Sequence, residues 1–224
     1  METKKLLIAG GNLTALVYDC LEKDREKISK RLLKGAEQVG FVNTKTNPVQ
    51  FRMMGGELSI NGTLACVSRL GRSGKLIASG LNEPVIYFNR AGLTSIKIPL
   101  KFKQDKNIIV FEGIGFVLYK ASYKREVDKK ELIKLASKYK LPAFGGIIYN
   151  KNKIIPYVYV SEVGSYVRET ACGSGSMAFN IFSGVEDVIQ TTGQKIFIKK
   201  QKGCLEISAK VVWKNSGLAT VIGE

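Results

Sequence analysis

The pattern of apolar and polar positions divides the chain into two runs of similar order. Each opens on a short apolar strand, Ala15-Leu16-Val17-Tyr18 and Phe116-Val117-Leu118-Tyr119, and continues into a charged amphipathic helix, near 22–35 and near 128–139. An apolar-glycine turn follows in both, Val39-Gly40-Phe41 and Ala143-Phe144-Gly145-Gly146. Short strands bounded by Gly, Pro and Asn are then predicted at Lys75 to Ala78, Val85 to Phe88 and Ser95 to Ile98, and in the second run at Lys195 to Ile198 and Cys204 to Val212. Two stretches, Leu64 to Leu70 and Met177 to Phe182, are apolar nearly all round, which predicts short helices buried on every side.

The sequence just before each buried helix repeats. Ser59-Ile60-Asn61-Gly62-Thr63-Leu64-Ala65 aligns with Cys172-Gly173-Ser174-Gly175-Ser176-Met177-Ala178 at an offset of 113, and Gly71 and Gly184 keep that offset. A small nucleophile stands first in both copies, Gly fourth, a hydroxyl residue fifth and Ala seventh. The prediction is an α/β (α+β) fold with a pseudo-two-fold duplication. Its first half is 1–106 with 217–224, its second 107–216, and an active site lies in the cleft between them. The glycines could serve tight turns alone, with Thr63 and Ser176 as helix caps. Their duplication favours a second role: the backbone N–H groups of Asn61-Gly62 and Gly173-Ser174-Gly175 converging on one anion.

Composition narrows the chemistry. The 224 residues contain no histidine, which removes Ser-His-Asp and Cys-His catalysis and imidazole metal sites, and no metal centre is expected. Cys20, Cys66, Cys172 and Cys204 form no C-x-x-C pair, and so few cysteines beside so large an apolar content point to a reduced, cytoplasmic protein. Lys4-Lys5 and the apolar stretch after them read as a buried first strand rather than a leader, since Asn12 and Thr14 interrupt the run. No stretch is long and apolar enough to span a membrane. A net charge of +16 raises nucleic acid or an acidic protein as a partner, but the lysines are scattered and interleaved with acids, so a solvated basic surface is preferred.

An amino acid whose carboxylate is held by two helix N-termini has negative charge stabilised where it develops on removal of the α-proton. Racemisation then needs an acid/base group on each face of that carbon, one from each half. Cys172, a thiol at a helix N-terminus where its pKa can fall, and Ser59 opposite it are the candidate catalytic pair. A thiol hydrolase is a competing class, with Glu169 as the nearest base to Cys172 in sequence.

These residues resemble a known family. Glu169-Thr170-Ala171-Cys172-Gly173-Ser174-Gly175 is similar to the second cysteine motif of diaminopimelate epimerases and related cofactor-independent amino-acid racemases. Gly11-Asn12 with Leu16-Val17-Tyr18-Asp19 resembles their N-terminal strand, Gly55 to Gly62 their first cysteine loop, and Gly217 to Gly223 their closing strand. The resemblance implies a sheet wrapped round a central helix in each half, no cofactor, an amino-acid substrate, and a homodimer as a candidate assembly. It adds Asn12, Thr63, Arg168 and Glu169 to the backbone groups above as substrate-binding candidates. The chain departs from the pattern at Ser59, where the family has its first catalytic cysteine, and at Ile155-Pro156, where diaminopimelate epimerases carry Asn-Pro. Diaminopimelate is therefore disfavoured, and the compact second motif is closer to racemases of other amino acids, histidine racemases among them. Ser59 leaves three readings open: a native serine in a slow or eliminating enzyme, a diverged chain that only binds an amino acid, or a Cys→Ser replacement in a two-thiol racemase.

Overall fold

In the computed structural model, which describes residues 2–214 apart from 91 and 100, the chain begins with β1 (Thr3–Ile8) and β2 (Gly11–Tyr18). It passes through a 3-10 turn (Glu22–Asp24) into α1 (Arg25–Leu32) and returns by β3 (Gln38–Asn43) and β4 (Val49–Met53) to α2 (Ile60–Val67). β5 (Ser73–Ala78), β6 (Val85–Arg90) and β7 (Leu93–Pro99) complete the first run. A hairpin, β8 (Lys103–Asp105) and β9 (Ile108–Val110), leads to β10 (Gly115–Lys120), α3 (Lys129–Tyr139), β11 (Ala143–Asn150), β12 (Lys153–Val160) and β13 (Ser165–Arg168). Then come α4 (Gly173–Ser183), β14 (Asp187–Ile189), β15 (Lys195–Gln201) and β16 (Cys204–Trp213). The expected closing strand at 217–223, and with it the return of 217–224 to the first half, lies outside the described residues.

The strand order reads as a near-palindrome, β1 to β7 on one side and β16-β15-β14-β12-β11-β10-β9-β8 on the other, meeting where β7 pairs antiparallel with β16. The pairings correspond across that join: β2/β3 and β10/β11 are parallel, as are β4/β5 and β12/β14. β1 also pairs with the end of β16, which draws the first half's strands round α2. Both α2 and α4 lie inside one continuous apolar core, with Ile60, Leu64, Ala65 and Val67 of the first helix and Met177, Ala178 and Phe179 of the second all buried. The outer faces are covered separately. Ile28 of α1 packs on Ala15, Val17, Val39 and Phe41, and Leu132 and Ala136 of α3 pack on Val117, Phe144 and Ile148.

Two expectations are corrected. Val39-Gly40-Phe41 and Ala143 to Gly146 are not turns but the middle of β3 and the start of β11. Their glycines admit an aromatic ring: a Cβ at Gly40 would stand 2.3 Å from Phe51 Cε2, and one at Gly145 2.2 Å from Phe116 Cε1. The buried helices also begin about one turn before the all-apolar stretches, so the repeated motif is the helices' first turn rather than their entry loop.

Candidate active site

The residues that begin the two buried helices do equivalent jobs. Ser59, in extended conformation, caps α2 by accepting the Gly62 N–H on Oγ at 3.0 Å. Cys172, also extended, caps α4 by accepting the Gly175 N–H on Sγ at 3.2 Å. Thr63 and Ser176 are not the caps; their hydroxyls donate back to the carbonyls of Ser59 and Cys172, each at 2.7 Å.

The helices meet end to end, each satisfying the other. Asn61, in the first turn of α2, accepts the Gly173 N–H at 2.9 Å and donates to the Ala171 carbonyl at 2.8 Å. Ser174, its counterpart in α4, accepts the Ile60 N–H at 3.1 Å. Of the five amides expected to hold an anion, those of Gly62, Gly173 and Gly175 are therefore already paired inside the protein. The amides of Asn61 and Ser174, an equivalent pair, have no acceptor among the described residues. The reason is geometric: so close an approach of two helix ends leaves room for a side chain from one to reach the first amide of the other.

Ser59 and Cys172 line one cleft, whose open space is about 450 Å³ counting its mouth. Asn61, Gly173 and Ser174 form its floor beside them; Met54, Leu58, Ile114, Val158, Val160 and Val167 give it apolar walls. Its charged lining consists of Glu37, Glu57 and Glu169, and no lysine or arginine is among the described lining residues of this strongly basic chain.

A chain of buried side chains, hydrogen-bonded to one another, runs along the cleft from Ser59 to Glu169, which stands beside Cys172. The Ser59 hydroxyl donates to Gln38 Oε1 at 2.8 Å, and Gln38 Nε2 donates to Asn12 Oδ1 and Thr14 Oγ1, both at 2.6 Å. Asn12 Nδ2 donates to Glu169 Oε1 at 3.0 Å, and the Glu169 carboxyl lies against the Cys172 thiol. Glu169 Oε2 is buried without a partner among the described residues. Burial pushes the Glu169 carboxyl up to about 8, against the lowering effect of its bonds to Cys172 and Asn12. Glu57 is pushed up to about 7 by burial, although Gly55 N–H donates to its Oε2 at 2.9 Å.

The Cys172 thiol is raised well above the usual thiol range, first by burial and then by the charge and hydrogen bond of Glu169; the Gly175 amide opposes this. The expectation that the helix N-terminus would lower it is corrected: one amide dipole does not offset the loss of water around a buried sulfur beside a carboxylate. Gln190 fixes the backbone here, accepting the Cys172 N–H at 2.8 Å and donating to Ser176 Oγ at 2.9 Å.

The other expected residues separate. Asn12 is fully buried and stands one layer behind the cleft, whereas Glu169 lines it. Arg168 ends β13 exposed to solvent and is not part of the lining; Thr63, Gly62 and Gly175 lie inside the helices beneath the floor. Gln38, Glu37, Glu57 and Gln190 were not anticipated. Only Glu57 carried a signal, two residues before Ser59 in the first motif. Cys66 is core, pushed up to about 12 by burial, and Cys20 and Cys204 are half-buried; all four cysteines are free. Among the described residues no cluster suited to a metal ion and no helix long and apolar enough to cross a membrane is found.

A sheet wrapped round two buried helices, with matched cap residues in one cleft, is the diaminopimelate epimerase-like fold. Two histidine racemases from strains of Fusobacterium nucleatum subsp. nucleatum are 27% and 28% identical to it, each match covering 77% of both chains. Among solved structures, a predicted epimerase from Pseudomonas aeruginosa is similar with a TM-score of 0.65 at 8% identity, covering 95% of this chain and 96% of its own. A PhzF-family phenazine biosynthesis protein from Bacillus anthracis is similar with a TM-score of 0.58 at 13% identity, covering 95% and 97%. No family model matches the chain.

Proposed function

We propose that the protein is a cofactor-independent amino-acid racemase or epimerase in which Cys172 takes the α-proton and Ser59 meets the opposite face. The observation that carries this reading is the pair of equivalent cap residues in one cleft, each on a helix whose second amide is open. The substrate carboxylate sits between the Asn61 and Ser174 amides, where charge developing on the α-carbon is stabilised. Ionised Glu169 accepts the thiol proton, and the resulting thiolate removes the α-hydrogen as a proton, leaving its electron pair delocalised into the carboxylate. The Ser59 hydroxyl returns a proton to the other face, and its oxygen, left negative, is held by the Gly62 N–H until it is reprotonated. A serine gives up a proton far less readily than a thiol, so passage through Ser59 is the slow direction.

The acidic lining favours a substrate whose side chain is cationic or donates hydrogen bonds, and disfavours one ending in a carboxylate. Histidine, named for the relatives above, is the first candidate. We read the halves as 1–106 with 217–224 and 107–216, and the four free cysteines as fitting a reducing cytoplasm. The test is incubation with each of the twenty amino acids in deuterated water, followed by α-proton exchange and chiral analysis. Exchange on one or a few amino acids is expected; absence of exchange on all of them would overturn the reading.

A further inference from the structure

We infer that Gln38 is the positioning residue that sets how much inversion accompanies proton exchange, because it holds the Ser59 hydroxyl proton on its carboxamide oxygen. This rests on the function proposed above. The polarity of the buried chain follows from one end. Asn12 presents its NH₂ group to Glu169 Oε1, which leaves its oxygen for the other side. Gln38 must then present its own NH₂ group to Asn12 Oδ1 and Thr14 Oγ1, which turns Gln38 Oε1 toward Ser59 as an acceptor. Ser59 therefore donates its single proton to an amide oxygen, while its lone pairs take the Gly62 N–H. Every member of the chain is buried.

The two caps are thus alike in backbone and unlike in partner. Cys172 faces a carboxyl, which can take a proton from it; Ser59 faces a carboxamide, which cannot. Proton removal from the Cys172 face and return to that same face gives exchange without inversion. Inversion requires the Ser59 hydroxyl to leave Gln38 and turn toward the substrate carbon.

The experiment measures, in deuterated water, the ratio of inverted product to exchanged but uninverted substrate for each enantiomer, in the intact chain and in Gln38→Glu and Gln38→Met. Gln38→Glu supplies Ser59 with a base, and the ratio should rise about tenfold or more for both enantiomers, with a new ionisation in its pH profile. Gln38→Met removes the acceptor without supplying a base. It should raise the ratio about threefold or more only for the enantiomer that Cys172 deprotonates, with no new ionisation. Adding Ser59→Ala to either variant should abolish the gain. A merely structural role would lower exchange and inversion together and leave the ratio unchanged. That result in whichever variants fold, or a gain that survives Ser59→Ala, overturns the inference alone. Absence of exchange in the unaltered protein overturns the proposed function and this inference with it.

Discussion

The hydroxyls of Ser95 and Ser208 lie 2.8 Å apart, directly opposite each other in the β7/β16 pairing, and the two residues are 113 apart in sequence. The same offset separates Ser59 from Cys172 and Asn61 from Ser174. In an antiparallel pair, a residue facing its own repeat equivalent marks a local two-fold axis through that pair. The axis explains why the N-termini of α2 and α4 approach each other, and why each helix's first amide is satisfied by the second residue of the other.

Asn61→Ala should be the more damaging change to this clasp. It leaves the buried Gly173 N–H and Ala171 carbonyl without partners, whereas Ser174→Ala strands only the Ile60 N–H. Unsatisfied buried groups cost about 1–3 kcal/mol each, so Asn61→Ala should cost about 2–4 kcal/mol and lower Tm by roughly 5–15 °C, with Ser174→Ala about half of that. Thermal denaturation followed by circular dichroism checks the order; equal or negligible shifts would show that the clasp contributes little to stability.

Cysteine reactivity should run opposite to catalytic importance. Cys20 and Cys204 are half-buried, while Cys172 is buried with its thiol held well above the usual range by burial and by Glu169. Iodoacetamide near neutral pH should modify Cys20 and Cys204 first, and Cys172 at least about tenfold more slowly, given that the thiolate is the reactive form. Glu169→Gln removes the neighbouring negative charge and should speed Cys172 modification. Peptide mass mapping over time decides both points.

Much of the scaffold was legible because its signals are local. The strand at Val85 to Phe88, the helix near 128–139 and the all-apolar stretches are each written within about a dozen residues, and the structure places elements on all of them. The cap pair was legible because duplication repeats it. Gly40 and Gly145 misled because the ring each accommodates comes from another strand, Phe51 of β4 and Phe116 of β10. Gln38 gave no signal for the same reason: its partners Asn12 and Ser59 are 26 and 21 residues away, and nothing beside it in the chain requires a glutamine. The raised Cys172 thiol depends on burial and on a neighbouring carboxyl, neither of which a helix N-terminus reveals.

The cleft carboxyls should make the protein less stable as pH rises. Glu57 is raised to about 7 and Glu169 to about 8, above the usual glutamate value near 4.3. Between those limits the folded state binds more protons than the unfolded one, so this contribution to stability falls from about pH 4 up through each folded pKa. Glu57→Gln resembles the protonated side chain. It should stabilise by about 1 kcal/mol at pH 5 and by on the order of 3 kcal/mol at pH 8, for an upward shift of this size. Urea unfolding of both proteins at the two pH values tests this; a constant difference would show that Glu57 does not titrate as described.

The catalytic assignment divides into three substitutions that should behave differently. Cys172 alone has a carboxyl against it that can take its proton, so Cys172→Ala should reduce α-proton exchange by about 10²–10⁴-fold on both enantiomers. Ser59 has only the Gln38 carboxamide, so Ser59→Ala should leave exchange on one enantiomer within a few-fold of the unaltered rate while removing inversion. It should also cost about 1 kcal/mol of stability through loss of the α2 cap bond to Gly62, which separates a folding effect from a chemical one. Ser59→Cys places a more acidic group in the same cap position and should raise inversion by about tenfold or more. Chiral chromatography beside deuterium incorporation reads all three. If Cys172→Ala retains full exchange and Ser59→Cys changes nothing, the cleft binds its amino acid without transferring a proton between residues 59 and 172.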